Sequence, residues 1–121
     1  MEFNSDRKRM SILLKDPKDG KIKMFTKGAD SIIKERLDPN QINEKVMEST
    51  DDFLNRASVK GLRTLLMAMK VIDEESFSMF NKEVASAEKD VLNRDKLLEG
   101  IFDKFERDLV LLGATAVEDR L

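Results

Sequence analysis

The stretch that decides the fold is Met10–Lys15 (MSILLK), followed by Asp16–Gly20 (DPKDG) and Lys21–Thr26 (KIKMFT). The first segment has the apolar character of a β-strand, and the third alternates between charged and apolar residues as a half-exposed strand does. The segment between them ends in Asp19-Gly20, a pair suited to the positive φ angles of a tight turn. The sequence therefore predicts a β-hairpin over residues 10–26.

The segment after the hairpin predicts two helices. They run from Asp30, as a capping residue, to about Leu37, and from about Gln41 to Val59, with Gly61 as a stop. Apolar residues recur at helical spacing in the longer one. These residues are Ile42, Val46, Phe53, Leu54 and Ala57.

The remainder of the chain predicts strands and helices in alternation. Leu62–Ile72 is apolar on both faces over much of its length, which fits a central strand covered on both sides and also fits a buried helix. Asp73 then caps a helix, a second helix runs from about Arg94 to Glu106, and Asp108–Leu112 is a last strand. The second helix is expected to bury Leu97, Leu98, Ile101, Phe102 and Phe105. The prediction is one α+β domain over residues 1–121, an antiparallel sheet of about four strands with helices packed against it.

Composition excludes several kinds of chemistry. The 121 residues include no cysteine and no histidine, which removes disulfides, thiol nucleophiles, histidine general bases and the usual zinc sites. The net charge is -2, from 22 basic and 24 acidic residues, so no overall field indicates a nucleic-acid partner. No apolar run approaches the roughly 18 residues that a membrane-spanning helix needs.

Three short motifs carry candidate binding residues, and each has a plain structural interpretation beside the functional one. Phe3 and the basic run Arg7-Lys8-Arg9 are typical of an exposed, solvated segment, yet a phenylalanine can also stack on a purine while Lys8 sits beside it. Lys27-Gly28-Ala29-Asp30 fits a tight loop and a helix cap, or a place where Gly28 admits a ligand to which Lys27 donates. Arg63 begins a strand and could present its fork to a phosphate.

Together with a fourth motif near the end of the sequence, these three motifs occur in an order that resembles the nucleotide-binding domain of P-type ATPases, and the resemblance spans residues 2–121. The motifs are Glu2–Ser11 (EFNSDRKRMS), Lys27–Asp30 (KGAD), Gly61–Leu65 (GLRTL) and Gly113–Leu121 (GATAVEDRL). The first and last of them look like the phospholipid-transporting (flippase) branch of that family.

The resemblance implies a role for each candidate residue. The phenylalanine matching Phe3 stacks on adenine, and Lys8 lines the same pocket. Lys27 lies deeper in the cleft, Gly28 belongs to the same nucleotide-binding set, and Arg63 reaches toward the phosphates. Asp119 falls at the hinge to the phosphorylation domain. No catalytic and no metal-binding residue is expected here.

The resemblance also implies partners that lie outside this sequence. The phosphorylated aspartate motif and the magnesium-binding aspartates of the family are absent, so the chain would bind ATP and deliver its γ-phosphate to another domain. Mg would be bound mainly elsewhere in the full protein. The other implied partners are the phosphorylation and actuator domains and a phospholipid handled by membrane segments, which makes this a cytosolic domain of an integral membrane protein.

A different class of function remains open on sequence grounds. The chain could be a free-standing α+β interaction module that docks an acidic partner through Arg7-Lys8-Arg9.

Overall fold

The computed structural model describes residues 7–118, which form a four-stranded sheet and four helices. In chain order the elements are β1 (Arg9–Lys15), β2 (Ile22–Gly28), α1 (Asp30–Glu35), α2 (Glu44–Val59), β3 (Arg63–Ile72), α3 (Glu74–Glu88), α4 (Arg94–Phe105) and β4 (Val110–Val117). The strands are ordered β1-β2-β3-β4, and each neighbouring pair is antiparallel. The predicted α+β fold is confirmed. Within residues 7–118, no helix is both long and apolar enough to span a bilayer.

The predicted hairpin is confirmed as β1 and β2. Met24 lies opposite Leu13, and Ile22 lies opposite Lys15. The turn is closed by the Asp16 N–H, which donates to the Lys21 carbonyl at 2.8 Å. Gly20 has φ +71°, so the residue type that the turn chemistry required stands where the chain needs a left-handed conformation.

One face of the sheet holds the core. Met24, Leu66 and Ala68 are fully buried there. All four helices add side chains to the same cluster, among them Ile33, Leu54, Phe77 and Phe105. On the opposite face of β1 the alternate residues Met10, Ile12 and Leu14 are exposed. The described helices thus cover one face of the sheet. On the opposite face of β3, Arg63 and Val71 are exposed, so the expectation that β3 is covered on both sides is wrong for residues 7–118.

The first two helices differ from the prediction at their N-terminal ends. Gly28 belongs to β2 rather than to a tight loop. The cap of α1 is Ala29 rather than Asp30, with no side-chain hydrogen bond, because the chain enters the helix directly from β2. This helix ends at Glu35. The helix α2 begins at Glu44 rather than near Gln41, since Asn43 caps it.

Burial and strand length also correct the prediction. Of the apolar residues at helical spacing, Leu54 and Ala57 of α2 are buried, whereas Val46 and Phe53 of the same helix are exposed. Ile42 is also exposed, and it precedes α2. The helix α4 fully buries none of its residues, and Leu97 is exposed. The last strand continues to Val117 rather than ending at Leu112. It does so because β3 supplies partners from one end of β4 to the other, from Met69 opposite Val110 to Arg63 opposite Val117.

The cap of α2 can be tested by substitution. The Asn43 side-chain oxygen accepts from the N–H groups of Lys45 and Val46, at 3.0 and 3.3 Å. Asn43→Ala is expected to lower the free energy of unfolding by about 1 kcal/mol, because two N–H groups at the helix start lose their acceptor. Chemical denaturation followed by circular dichroism measures it. Asn55→Ala, an exposed site inside the same helix, is the matched control and should change stability little.

Candidate functional site

The candidate binding residues within the described range gather at one end of the sheet. Antiparallel pairing brings the start of β1, the end of β2 and the start of β3 to the same end. Arg9 pairs with Gly28, and Gly28 pairs with Leu66 of β3. Lys8 immediately precedes this row of paired residues, and Arg63 lies three positions before Leu66. We call this end of the sheet, with Lys8, Lys27, Gly28 and Arg63, the cationic end.

Lys8 and Gly28 are in direct contact across the strand pair. The Ala29 N–H donates to the Lys8 carbonyl oxygen at 3.0 Å, and Lys8 has φ +55° with an exposed side chain. A Cβ atom on Gly28 would lie 2.6 Å from the Lys8 oxygen and 2.7 Å from the Arg9 Cβ. Gly28 therefore allows β1 to approach β2 closely, which is a structural role that the sequence did not indicate.

Lys27 lies on the face of the sheet opposite to Gly28, because successive residues of a strand point to opposite faces. It is half-buried and stands between Met10 of β1 and Met67 of β3 in the register. A cationic side chain here has a methionine on each neighbouring strand. This arrangement offers a charge and polarizable apolar surface side by side.

The remaining candidates are placed as follows. Arg63 is exposed and opens β3, opposite Val117. Phe3 and Asp119 lie outside the described residues, so their roles stay predictions.

The basic run does not form the solvated surface that the sequence predicts. Arg7 and Arg9 are only 6% and 5% exposed, and both pair with the fully buried Glu106 that follows α4. The Arg7 guanidinium is bidentate, with Nη1–Oε1 at 2.8 Å and Nη2–Oε2 at 2.9 Å, and the Ser11 hydroxyl also donates to the carboxylate. Only Lys8 of the three is exposed, which removes the surface that the acidic-partner hypothesis requires.

Burial of this cluster has an electrostatic signature. Desolvation lowers the pKa of Arg9, and the negative charge of Glu106 opposes that shift. A third arginine, Arg36, donates to the Asp103 and Glu106 carbonyl oxygens, both at 2.9 Å, and to the Asp103 carboxylate. Its hydrogen bond is the main cause of the lowered pKa of Asp103. No local pattern in the sequence indicates this cluster, because Glu106 lies 99 positions from Arg7.

Nothing in the described part of the chain is built to hold a metal ion. Over residues 7–118 there is no group of three or more acidic, histidine or cysteine side chains that could coordinate one. Magnesium prefers several carboxylate oxygens or phosphate oxygens. These residues therefore do not fit a resident magnesium ion.

Comparison with known proteins defines the class. The chain belongs to the family of the P-type ATPase cytoplasmic domain N, whose model matches residues 1–121. Among curated proteins it is 42% identical over 121 residues to the human probable phospholipid-transporting ATPase IM, and 43% identical over 122 residues to the human phospholipid-transporting ATPase IC. It is 45% identical over 122 residues to phospholipid-transporting ATPase 10 of Arabidopsis thaliana.

These matches cover the whole of this chain but only a small part of each relative. Each covers 100% of this chain but 9–10% of the relative, so the chain spans about a tenth of the length of the curated relatives it matches. The resemblance to the phospholipid-transporting branch that the motifs predicted is confirmed by these matches.

Proposed function

We propose that this chain binds ATP through its base and ribose at the cationic end of the sheet. In the whole protein, a phospholipid-transporting P-type ATPase, the γ-phosphate would pass to an aspartate of a separate phosphorylation domain. The observation that carries the proposal is that three separate segments of the sequence bring Lys8, the pair Lys27-Gly28 and Arg63 to one end of the sheet.

The chemistry of these groups suits a nucleotide. Lysine supplies a compact charge with rotatable donors, and Arg63 supplies a planar fork that can contact two phosphate oxygens. Met10 and Met67, on either side of Lys27, add apolar surface for the base or the ribose. Phe3, six positions before the first strand, would stack on adenine.

The proposed division of labour follows from what the sequence lacks. The chain contains no Asp-Lys-Thr-Gly-Thr phosphorylation motif. Hydrolysis, lipid transport and the actuator step are therefore assigned to other parts of the protein. The cytosolic placement of this domain is proposed on a different ground, because the matching family is that of a cytoplasmic domain.

An amide-shift titration of the isotope-labelled chain with ATP tests the proposal. The signals of Lys8, Lys27, Gly28 and Arg63 should move together. Lys27→Ala is expected to weaken ATP binding roughly tenfold, since a charged donor to the nucleotide is removed. The control is Lys21→Ala, which removes an exposed lysine at the opposite end of the β1–β2 hairpin and should leave the affinity unchanged.

The same titration is repeated with ATP in the presence of magnesium. Because the described residues hold no carboxylate cluster, ATP and its magnesium complex should shift the same amides. A folded chain whose cationic-end signals stay still at millimolar ATP would refute the proposed function.

A further inference from the structure

We infer that Glu106 is a positioning residue: it clamps Arg7 and Arg9 and so fixes the backbone from which Lys8 meets the nucleotide. This inference rests on the proposed nucleotide role of Lys8. Glu106 is fully buried, so it acts through its arginine partners rather than by touching the ligand.

The clamp holds the residues on both sides of Lys8. Arg7 binds both carboxylate oxygens of Glu106, and the Arg9 Nε–Oε1 distance is 3.3 Å. A bidentate arginine–carboxylate pair fixes direction as well as distance. Lys8 therefore lies between two side chains anchored on one buried carboxylate.

The main chain at Lys8 is fixed as well. Arg9 Nη1 donates to the Arg7 carbonyl oxygen at 2.9 Å, and the Ala29 N–H donates to the Lys8 carbonyl oxygen at 3.0 Å. Lys8 has φ +55°, a conformation that lysine adopts rarely and that persists only where its surroundings impose it. The paired arginines and the approach of Gly28 are those surroundings.

The anchor itself is rigid because α4 and α1 hold it in place. Glu106 follows directly after α4, and its N–H donates to the Phe102 carbonyl oxygen at 2.9 Å. Its own carbonyl oxygen accepts from Arg36, which follows α1. A contact group whose backbone is already ordered loses less conformational freedom on binding, so the clamp should raise nucleotide affinity without adding a contact.

Glu106→Gln in the full 121-residue chain tests the inference. The variant keeps the shape of the side chain, but it loses the negative charge and replaces one acceptor oxygen by an NH2 group, which donates hydrogen bonds. We expect ATP affinity to fall about tenfold. Exchange of the Ala29 amide hydrogen should accelerate at the same time, since its acceptor is the Lys8 carbonyl oxygen. That second readout requires no nucleotide.

A double-mutant cycle separates positioning from general destabilisation. If Glu106 acts through Lys8, then Lys8→Ala and Glu106→Gln should not add, and the double variant should bind ATP as weakly as Lys8→Ala alone. Leu54→Ala, which removes a buried side chain of α2 outside the cluster, should leave ATP affinity unchanged in its folded fraction. Should Glu106→Gln fail to fold, Arg7→Lys keeps the charge while losing the bidentate pair, and the same results are expected.

The outcomes are distinct. Additive losses, or unchanged affinity and Ala29 exchange in a folded Glu106→Gln chain, would overturn the clamp. If the unmodified chain does not bind ATP, the proposed function fails, and the Ala29 exchange rate still decides whether Glu106 fixes the Lys8 backbone.

Discussion

Replacing Glu106 by alanine is expected to lower the free energy of unfolding by about 3–5 kcal/mol, the usual result of removing one partner from a buried ion pair. The fully buried carboxylate is the common acceptor of Arg7, Arg9 and Ser11. Without it, the nearly buried Arg7 guanidinium keeps its charge and loses a bidentate carboxylate partner. Arg9 loses one acceptor and retains the Arg7 carbonyl oxygen and the Asp103 carboxylate. Because single domains are stable by only about 5–15 kcal/mol, this loss should be visible as a lower urea midpoint.

A control from the surface calibrates this result. Asp51 pairs with Lys34 across α2 and α1, and the side chains are 46% and 37% exposed. Asp51→Ala should cost less than about 1 kcal/mol, because solvent screens the pair. Equal losses from Glu106→Ala and Asp51→Ala would mean that the buried cluster contributes no more than a surface pair does.

Local signals explain what could be predicted of the fold. The β1–β2 hairpin follows from alternation and from Asp19-Gly20, which are short-range features. The cap of α3 is likewise confirmed, since the Asp73 side chain accepts from the Ser76 N–H at 2.7 Å. Gly61 ends α2 with φ +71°, as predicted.

Features that depend on distant partners could not be predicted. The last strand extends to Val117 because β3 supplies its partners, whereas three of the four residues in Gly113–Ala116 are glycine or alanine, which are depleted in strands. Apolar periodicity predicted the helices correctly, but it overestimated how deeply the side chains of α4 are buried. This helix packs through half-buried rings such as that of Phe105, whose centroid lies 4.0 Å from the centroid of the Phe80 ring.

The residues of the candidate site could be predicted from short motifs, but their surroundings could not. Motif order supplied its residues, and antiparallel pairing then brings Lys8, Lys27 and Gly28 together. The burial of Arg7 and Arg9 was not predictable, because charge runs are usually solvated and only the three-dimensional fold brings Glu106 to them. Phe3 and Asp119 keep the roles that the family resemblance implies, as predictions.

Gly28→Ala is expected to damage both stability and nucleotide binding. The added Cβ would lie 2.6 Å from the Lys8 carbonyl oxygen and 2.9 Å from the Arg9 Cα, and these are backbone atoms that cannot turn aside as a flexible side chain does. The strands must separate where they pair, which should lower the free energy of unfolding by about 1–3 kcal/mol. Thermal denaturation and ATP titration of the same sample measure the two effects.

Gly100→Ala is the matched control, with an effect of opposite sign. Gly100 lies inside α4, and a Cβ there would meet no atom within 4 Å. Alanine should therefore stabilise the chain by about 0.5–1 kcal/mol, because glycine loses more backbone freedom in a helix.

Thermal denaturation and ATP titration of Gly28→Ala together also decide whether Gly28 serves the strand contact or the ligand. If its only task is to admit a ligand, Gly28→Ala loses ATP affinity while its unfolding free energy stays unchanged. The geometry favours the other outcome, because the space that a Cβ would fill is already occupied by the backbone of β1. Displacing that strand moves Lys8 away from Lys27, so affinity and stability should fall together. A variant that kept full stability would contradict this account of the strand contact.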